Sequence, residues 1–216
     1  RTSPTTATGD WFSVNGNAQI SEIHSLVYDP VSRVITAGTQ DNDTPRQTSP
    51  NALAWNSLSS GDGGNVTIDT LINPGFSVLY SSSQTLLGFE RRTFNAAGTQ
   101  IANVAPTLTV IGGGAPINPQ FYTPIKANKV TGGRLVIAAA NSVYESSDQG
   151  DNITEIGPGI ANGSCIAYGG MLSGAANPDV LYVGAGNSVF VRTNAAGSLG
   201  TTPAAFPGGK IGRAHV

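Results

Sequence analysis

Five glycine-bearing connectors, each following a short apolar run, divide this chain at nearly even intervals. They are Asn15-Gly16-Asn17, Gly61-Asp62-Gly63-Gly64, Gly112-Gly113-Gly114, Gly157-Pro158-Gly159 and Pro207-Gly208-Gly209. Measured from Gly16, Gly61, Gly112, Gly157 and Gly208, the steps are 45, 51, 45 and 51 residues. A period of this size means that one supersecondary unit recurs, and it constrains the fold more than any other feature. Each unit is a series of short apolar runs bounded by Gly, Pro, Asn and Asp, with no long helical periodicity, so the chain reads as all-β.

Within each period the order of the runs repeats. The first strand of a unit is expected at Ile23 to Asp29, Val66 to Thr70, Phe121 to Lys126 and Ser164 to Tyr168. The second is expected at Arg33 to Ala37, Ser77 to Ser81, Arg134 to Ala139 and Asp179 to Gly184. The third falls near Pro45 to Thr48, then Leu86 to Arg91, Ser142 to Ser146 and Ser188 to Arg192. The fourth falls at Ala54 to Leu58, Thr107 to Ile111, Ile153 to Ile156 and Ala204 to Phe206. Asp10 to Val14 reads as the last strand of a preceding unit. Alternation with β-branched residues marks half-buried strands. Small residues at Ala37-Gly38, Ala138-Ala139 and Gly184-Ala185 suit a crowded centre. A solenoid or a sandwich also repeats strands. Four strands and then glycine favours a partial β-propeller of about four four-stranded antiparallel blades over residues 1–209, with boundaries near 16, 61, 112, 157 and 208.

Ser146-Ser147-Asp148-Gln149-Gly150-Asp151-Asn152-Ile153 lies between a third and a fourth strand. It resembles the Asp-box (BNR) repeat of sialidase-like and sortilin-like propellers, S-x-D-x-G-x-T-W. Ser146, Asp148 and Gly150 match; Asn152 and Ile153 stand where that family has Thr and an aromatic residue. The resemblance implies a turn-building role, since Asp can bond nearby backbone N–H groups and Gly supplies positive φ. Thr93 to Gly98 and Thr193 to Gly197 look like decayed copies, with Asn95 and Asn194 in the Asp role. The run Gly38-Thr39-Gln40-Asp41-Asn42, a Trp55 strand, Gly61-Asp62-Gly63-Gly64 and an Ile68-Asp69 strand is similar to a pattern of bacterial Asp-box propellers, including relatives of xyloglucan-cleaving glycoside hydrolases. That pattern usually continues to Gly-Thr; here Asp43 replaces the Gly, which implies a differently bent loop.

In a propeller, loops from strand two to three share a face with connectors from strand four into the next blade. Gln40, Asp41, Asn42, Asp43 and Asp62 therefore belong to one face. Three readings stay open. The side chains cap turns and glycine loops. They bind a hard cation such as Ca²⁺, although the spacing is not that of an EF-hand. Or they line a glycan groove with Trp55 or Tyr28, in which Asp41 or Asp62 does acid/base work, given two carboxylates about 5 to 9.5 Å apart. His24 reads as a structural histidine facing the central channel. Cys165, the single cysteine, reads as a buried small apolar residue. Arg91-Arg92 reads as a solvated strand end. Arg33, Arg46, Arg91, Arg92, Arg134 and Arg192 form no recognisable cluster for a sugar carboxylate, which disfavours a sialidase.

Charged residues make up 11 % of the chain, with 13 Asp+Glu against 11 Lys+Arg. The tail from Lys210 to Val216 resembles the translation of a sequencing adapter, so these residues are set apart from fold reasoning. Without them the balance is about −4, counting 9 Lys+Arg. No basic footprint for nucleic acid exists, and no apolar run is long enough for a membrane-spanning helix. No cofactor fingerprint and no metal-ligand motif is present. The absence of a starting Met, together with this tail, suggests a piece of a larger propeller, unstable alone. The composition suggests an exported, extracellular or cell-surface protein. The leading expectation is a non-catalytic module binding a glycan or a protein partner. A xyloglucanase-like glycoside hydrolase and a structural repeat of a large adhesin are the alternatives.

Overall fold

The structure, a computed structural model, describes residues 21–194 and 199–200. Strands β1 (Ile23–Asp29), β2 (Val34–Thr39), β3 (Pro45–Gln47) and β4 (Trp55–Ser57) form blade I. Blade II contains β5 (Gly63–Asp69), β6 (Phe76–Ser83), β7 (Glu90–Asn95) and β8 (Gln100–Val104). Blade III contains β9 (Thr109–Ile111), β10 (Ile125–Ala127), β11 (Leu135–Ala138), β12 (Val143–Ser146) and β13 (Asn152–Glu155). Blade IV shows β14 (Gly163–Leu172), β15 (Ala175–Ala185) and β16 (Ser188–Arg192). The fold is all-β, with four small sheets arranged as the blades of a propeller. Among the described residues no helix is long and apolar enough to cross a membrane. The strands expected at Asp10 to Val14 and Ala204 to Phe206, the turn from Ala195 to Gly197 and the tail from Lys210 lie outside the described residues.

Blades meet face to face, and each junction has its own apolar cluster. Val66, Leu79 and Phe94 pack with Val27 and Leu58 between blades I and II. Tyr80, Phe89, Ile125, Ile137, Tyr144 and Ile153 fill the junction of II and III. Val136, Val143, Tyr168, Leu181 and Val183 fill that of III and IV. The alternation along β11 explains the sharing: Leu135 and Ile137 face blade II while Val136 faces blade IV. A strand buried on both sides reads as a continuous apolar run, Leu-Val-Ile-Ala.

Polar residues latch the junctions at the ends of the inner strands of blades I, II and III. Asp29 Oδ1 accepts from Val31 N at 2.9 Å and Ser32 N at 3.3 Å, and its Oδ2 accepts from Ser77 Oγ of blade II at 2.6 Å. Asp69 repeats this, with Leu71 N on Oδ1 at 2.8 Å and Gly133 N of blade III on Oδ2 at 2.6 Å. Asn128 accepts from Val130 N and Thr131 N and donates to Pro178 O of blade IV at 2.7 Å. One side chain thus closes its own turn, as Asx residues do, and fastens the next blade.

Three strand assignments in blades II and III differ from the sequence reading. The third strand of blade II begins at Glu90, not Leu86, because Gln84–Leu86 forms a 3-10 turn in which Thr85 and Leu86 have φ of +56° and +57°. Its fourth strand is Gln100–Val104 and not Thr107 to Ile111. Asn95 Oδ1 accepts from Ala97 N and Thr99 N, so the chain reverses at once and pairs with β7. The apolar run from Thr107 instead crosses to blade III, where β9 pairs in parallel with β13 and Leu108 and Val110 join the apolar cluster. Blade III therefore has five strands. Its inner strand starts at Ile125 and not Phe121, since Pro124 has no N–H for the ladder.

Arg91-Arg92 is not a solvated end either. Arg92 is buried between blades I and II, donating to Ser81 Oγ at 2.8 Å and Leu58 O at 2.7 Å and pairing with Glu90. Arg91 reaches Gln149 O of blade III at 3.0 Å. Cys165 is exposed, not buried. It follows a register shift in β14 between Gly163 and Cys165 that turns it toward the channel between the inner strands.

Candidate functional site

The face expected to carry a site is built by two backbones in direct contact. The loop after β2 and the connector before β5 join through a parallel bridge between Asp43 and Asp62. Thr39 N donates to Asp43 O at 3.1 Å, and Asp43 N donates to Gly61 O at 3.0 Å. The approach leaves no room for side chains. A Cβ on Gly38 would lie 1.8 Å from Gly64 O, and one on Gly63 would lie 2.0 Å from Asp43 O. Asp41 and Asp43 adopt φ of +55° and +63°. Asp43 thus takes up the left-handed conformation that glycine would occupy, which Asp tolerates better than most residues. Its Oδ2 accepts from Ser57 Oγ at 2.8 Å.

Gln40 is the hub of the cluster. Its Nε2 donates to Asp62 Oδ1 at 3.1 Å and to Asp41 Oδ1 at 3.3 Å. Its Oε1 faces His24 Nε2 at 3.1 Å and accepts from Tyr122 OH. Asp62 Oδ1 also accepts from Asp41 N at 2.8 Å, and Asn42 Nδ2 donates to Gln40 O at 2.9 Å. Both carboxylates contact the same amide nitrogen, so these oxygens lie no more than about 6.4 Å apart. The His24 and Tyr122 rings stack with centroids 3.9 Å apart. Desolvation first, then the negative charges of Asp62, Glu22 and Asp41, hold the Tyr122 phenol above its ordinary range, so it stays a donor. The mouth of the channel is therefore acidic. Among the described residues no group of three or more His, Cys, Asp or Glu side chains is arranged to hold a metal ion.

The expected residues divide accordingly. Gln40, Asp41, Asn42, Asp43 and Asp62 come together. Trp55 does not join them: it pairs with Gln47 at the far end of β4 from Ser57. Tyr28 lies at the opposite end of β1 from the loop, paired with Ile35. Tyr122, Ser57 and Gln84, none of them singled out by the sequence, complete the cluster. Gln84 Oε1 accepts from Asp62 N at 3.1 Å. It also lines a groove of about 430 Å³ between blades I and II, with Ser59, Ser60, Leu87, Glu90 and Arg92.

The turn at Ser146 is closed by its own side chains. Asp148 Oδ1 accepts from Ser146 Oγ at 2.8 Å and Asn152 N at 2.9 Å, and Gly150 N donates to Ser146 Oγ at 2.8 Å. Although some burial opposes it, bonding to Asn152 and Ser146 keeps the Asp148 carboxyl below its usual range. Asn95 holds the matching turn of blade II through N–H groups two and four residues on.

Fold and site together define, among the described residues, a four-bladed propeller-like arrangement with a polar, acidic channel mouth. No protein-family model and no curated protein matches the chain. Among solved structures it is similar to the computationally designed Ika8 protein, at 12 % identity over 84 % of this chain and 48 % of that one, with a TM-score of 0.39. It is also similar to a functionally unknown protein from Desulfotomaculum acetoxidans DSM 771, at 12 % identity over 86 % of this chain and 69 % of the other, with a TM-score of 0.47. The chain spans about half the length of the designed protein.

Proposed function

We propose that this chain is an exported Asp-box-type propeller module that binds a glycan without cleaving it, in the groove between blades I and II. The observation that carries this reading is how the polar groups are used. Both ends of the Gln40 amide are spent on neighbours inside the cluster, and Asp62 Oδ1 accepts two hydrogen bonds. The cluster acts as a scaffold. The adjoining groove offers what a sugar ring uses: the Ser60 hydroxyl, the side-chain amide nitrogen of Gln84 and the exposed Leu87 as an apolar platform. About 430 Å³ lies within the usual size range of small-molecule sites.

Calorimetric titration with xyloglucan and mixed-linkage β-glucan oligosaccharides tests the proposal. Saturable binding is expected, weakened about tenfold by Leu87→Ala, a loss of about 1.4 kcal/mol. If no oligosaccharide binds, the reading fails, and a protein partner or a structural adhesin repeat takes its place.

The nearness of Asp41 and Asp62 supports a second reading, a glycoside hydrolase, because retaining enzymes hold their carboxyl groups about 5–5.5 Å apart. Release of reducing ends by the wild type, lost in Asp41→Asn and Asp62→Asn, would establish it. Absence of turnover by the wild type would end it.

A further inference from the structure

All four inner strands converge on a second cavity, of about 170 Å³, in the central channel below the Gln40 cluster. Ser25, Asn65, Lys126, Ser164, Cys165 and Ile166 are among its lining residues. Lys126 lies between Ile125 and Ala127, which are buried in the core between blades II and III, so its side chain takes the other face and lines the cavity. Among the described residues its ammonium has no ion pair and donates to no acceptor, although it is half-buried. Burial, then the positive charge of Lys129, pushes it below its ordinary range; no carboxylate offsets either effect. Asn65 adds a second donor. Its Oδ1 accepts from Ile125 N at 3.2 Å, which fixes the amide and leaves Nδ2 without an acceptor among the described residues. The two hydroxyls are spent elsewhere: Ser25 Oγ exchanges hydrogen bonds with the Val66 backbone, and Ser164 Oγ donates to Gly184 O. What remains, among the described residues, is a half-buried cation and an amide donor on a small polar void, neither of them hydrogen-bonded to a protein acceptor.

We propose that the channel at the level of Lys126 binds a small oxyanion, a carboxylate, sulfate or phosphate, held by Lys126 and Asn65. An uncompensated charge in a partly desolvated site is costly, and an anion that supplies both charge and acceptor atoms removes that cost. The void, of about 170 Å³, is large enough for a tetrahedral oxyanion or a short carboxylate. Entry is from the end that carries Lys129, because Glu22, Asp41 and Asp62 make the Gln40 end repulsive to anions.

Cys165, the single cysteine of the chain and exposed in the same cavity, is a built-in reporter. Its labelling is compared for an anionic (2-sulfonatoethyl) and a cationic (2-trimethylammonioethyl) methanethiosulfonate, each corrected for its rate with a free thiol. In the wild type the anionic reagent is favoured over the cationic one by up to about thirtyfold, because one unit charge at contact distance in a water-like medium speeds the first and slows the second by about fivefold each. In Lys126→Met that preference disappears. Sulfate or acetate at tens of millimolar slows labelling of the wild type but not of Lys126→Met, beyond the effect of choline chloride at equal ionic strength. Equal slowing in both proteins, or none in either, overturns the proposal. The wild type alone gives an independent check if the variant fails to fold. After reductive ¹³C-methylation, sulfate shifts the Lys126 resonance and leaves Lys129 unmoved; unchanged resonances also overturn it.

Discussion

The closest backbone contact on the candidate face rests on two residues that have no side chain. Gly38 and Gly63 let the loop after β2 and the connector before β5 touch, and any Cβ there meets a carbonyl oxygen at 1.8 to 2.0 Å. The Asp43 carbonyl that faces Gly63 cannot yield easily, because it accepts from both Thr39 N and Thr39 Oγ1 and its own N–H is tied to Gly61 O. Gly63→Ala is therefore expected to cost more than about 3 kcal/mol, the upper end for overpacking. Gly113→Ala is the control. Gly113 has φ of +77° and open space around its missing Cβ, so only backbone strain of about 1–2 kcal/mol applies. Urea melts of the two variants check this; equal losses would show that the crossing of the loops carries no special weight. The glycines of the Gly38 to Gly64 stretch were visible in the sequence as a pattern, and the acidic loop beside them as a cluster. Its partners were not visible. Tyr122 reaches Gln40 across 82 positions and His24 across 16, and no local pattern encodes such a meeting.

At the level of elements, a repeated latch sets how blades follow one another. Asp29, Asp69 and Asn128 each end an inner strand and each reach the next blade. Asn128→Asp separates the two duties. The aspartate can still accept from Val130 N and Thr131 N, but it loses the donor to Pro178 O and sets a charge against that carbonyl. A loss of about 2–3 kcal/mol is expected, the cost of an unpaired buried polar group. Hydrogen exchange should quicken in β14 and β15 before β1 and β2; uniform quickening would refute a local latch. This repeat escaped the sequence reading because its spacing is uneven, 40 and then 59 residues. The glycine connectors, with even steps, gave the blade count. The same reasoning explains the error in blade II. Apolar Thr107 to Ile111 looked like a blade's last strand, whereas all of β8 is exposed and lacks a buried alternation. Apolar pattern locates a strand that packs, but here the tight Asn95 turn decides which strand pairs with β7.

Across the whole molecule the junctions differ in kind, and the one between blades III and IV depends most on charge. Glu145 of β12 receives two hydrogen bonds from Arg192 at 2.8 Å each, one from Arg134 at 2.8 Å and one from Tyr168 OH. Arg134 continues to Asp179 of β15 at 2.9 Å. Burial alone would raise the Glu145 carboxyl, but the bonds from Arg192, Tyr168 and Arg134 outweigh it and bring the group down to about 2. A carboxyl lower in the folded than in the unfolded chain stabilises the fold fully above the unfolded value, here 4.5, and loses that contribution as the pH falls through about 2. The contribution at neutral pH is at most about 3 kcal/mol, since each unit is worth 1.36 kcal/mol. Protonation also leaves two arginines beside each other without their shared anion, so blade IV should detach first in acid. Glu145→Gln removes the titrating group while keeping its shape. Its melting temperature should fall at pH 7 and depend less on pH between about 4.5 and 2 than that of the wild type. If melting curves of the two proteins instead run parallel from pH 7 to pH 2.5, the stability of the junction does not rest on the Glu145 charge, and the apolar cluster of Val136, Val143, Leu181 and Val183 must hold it alone.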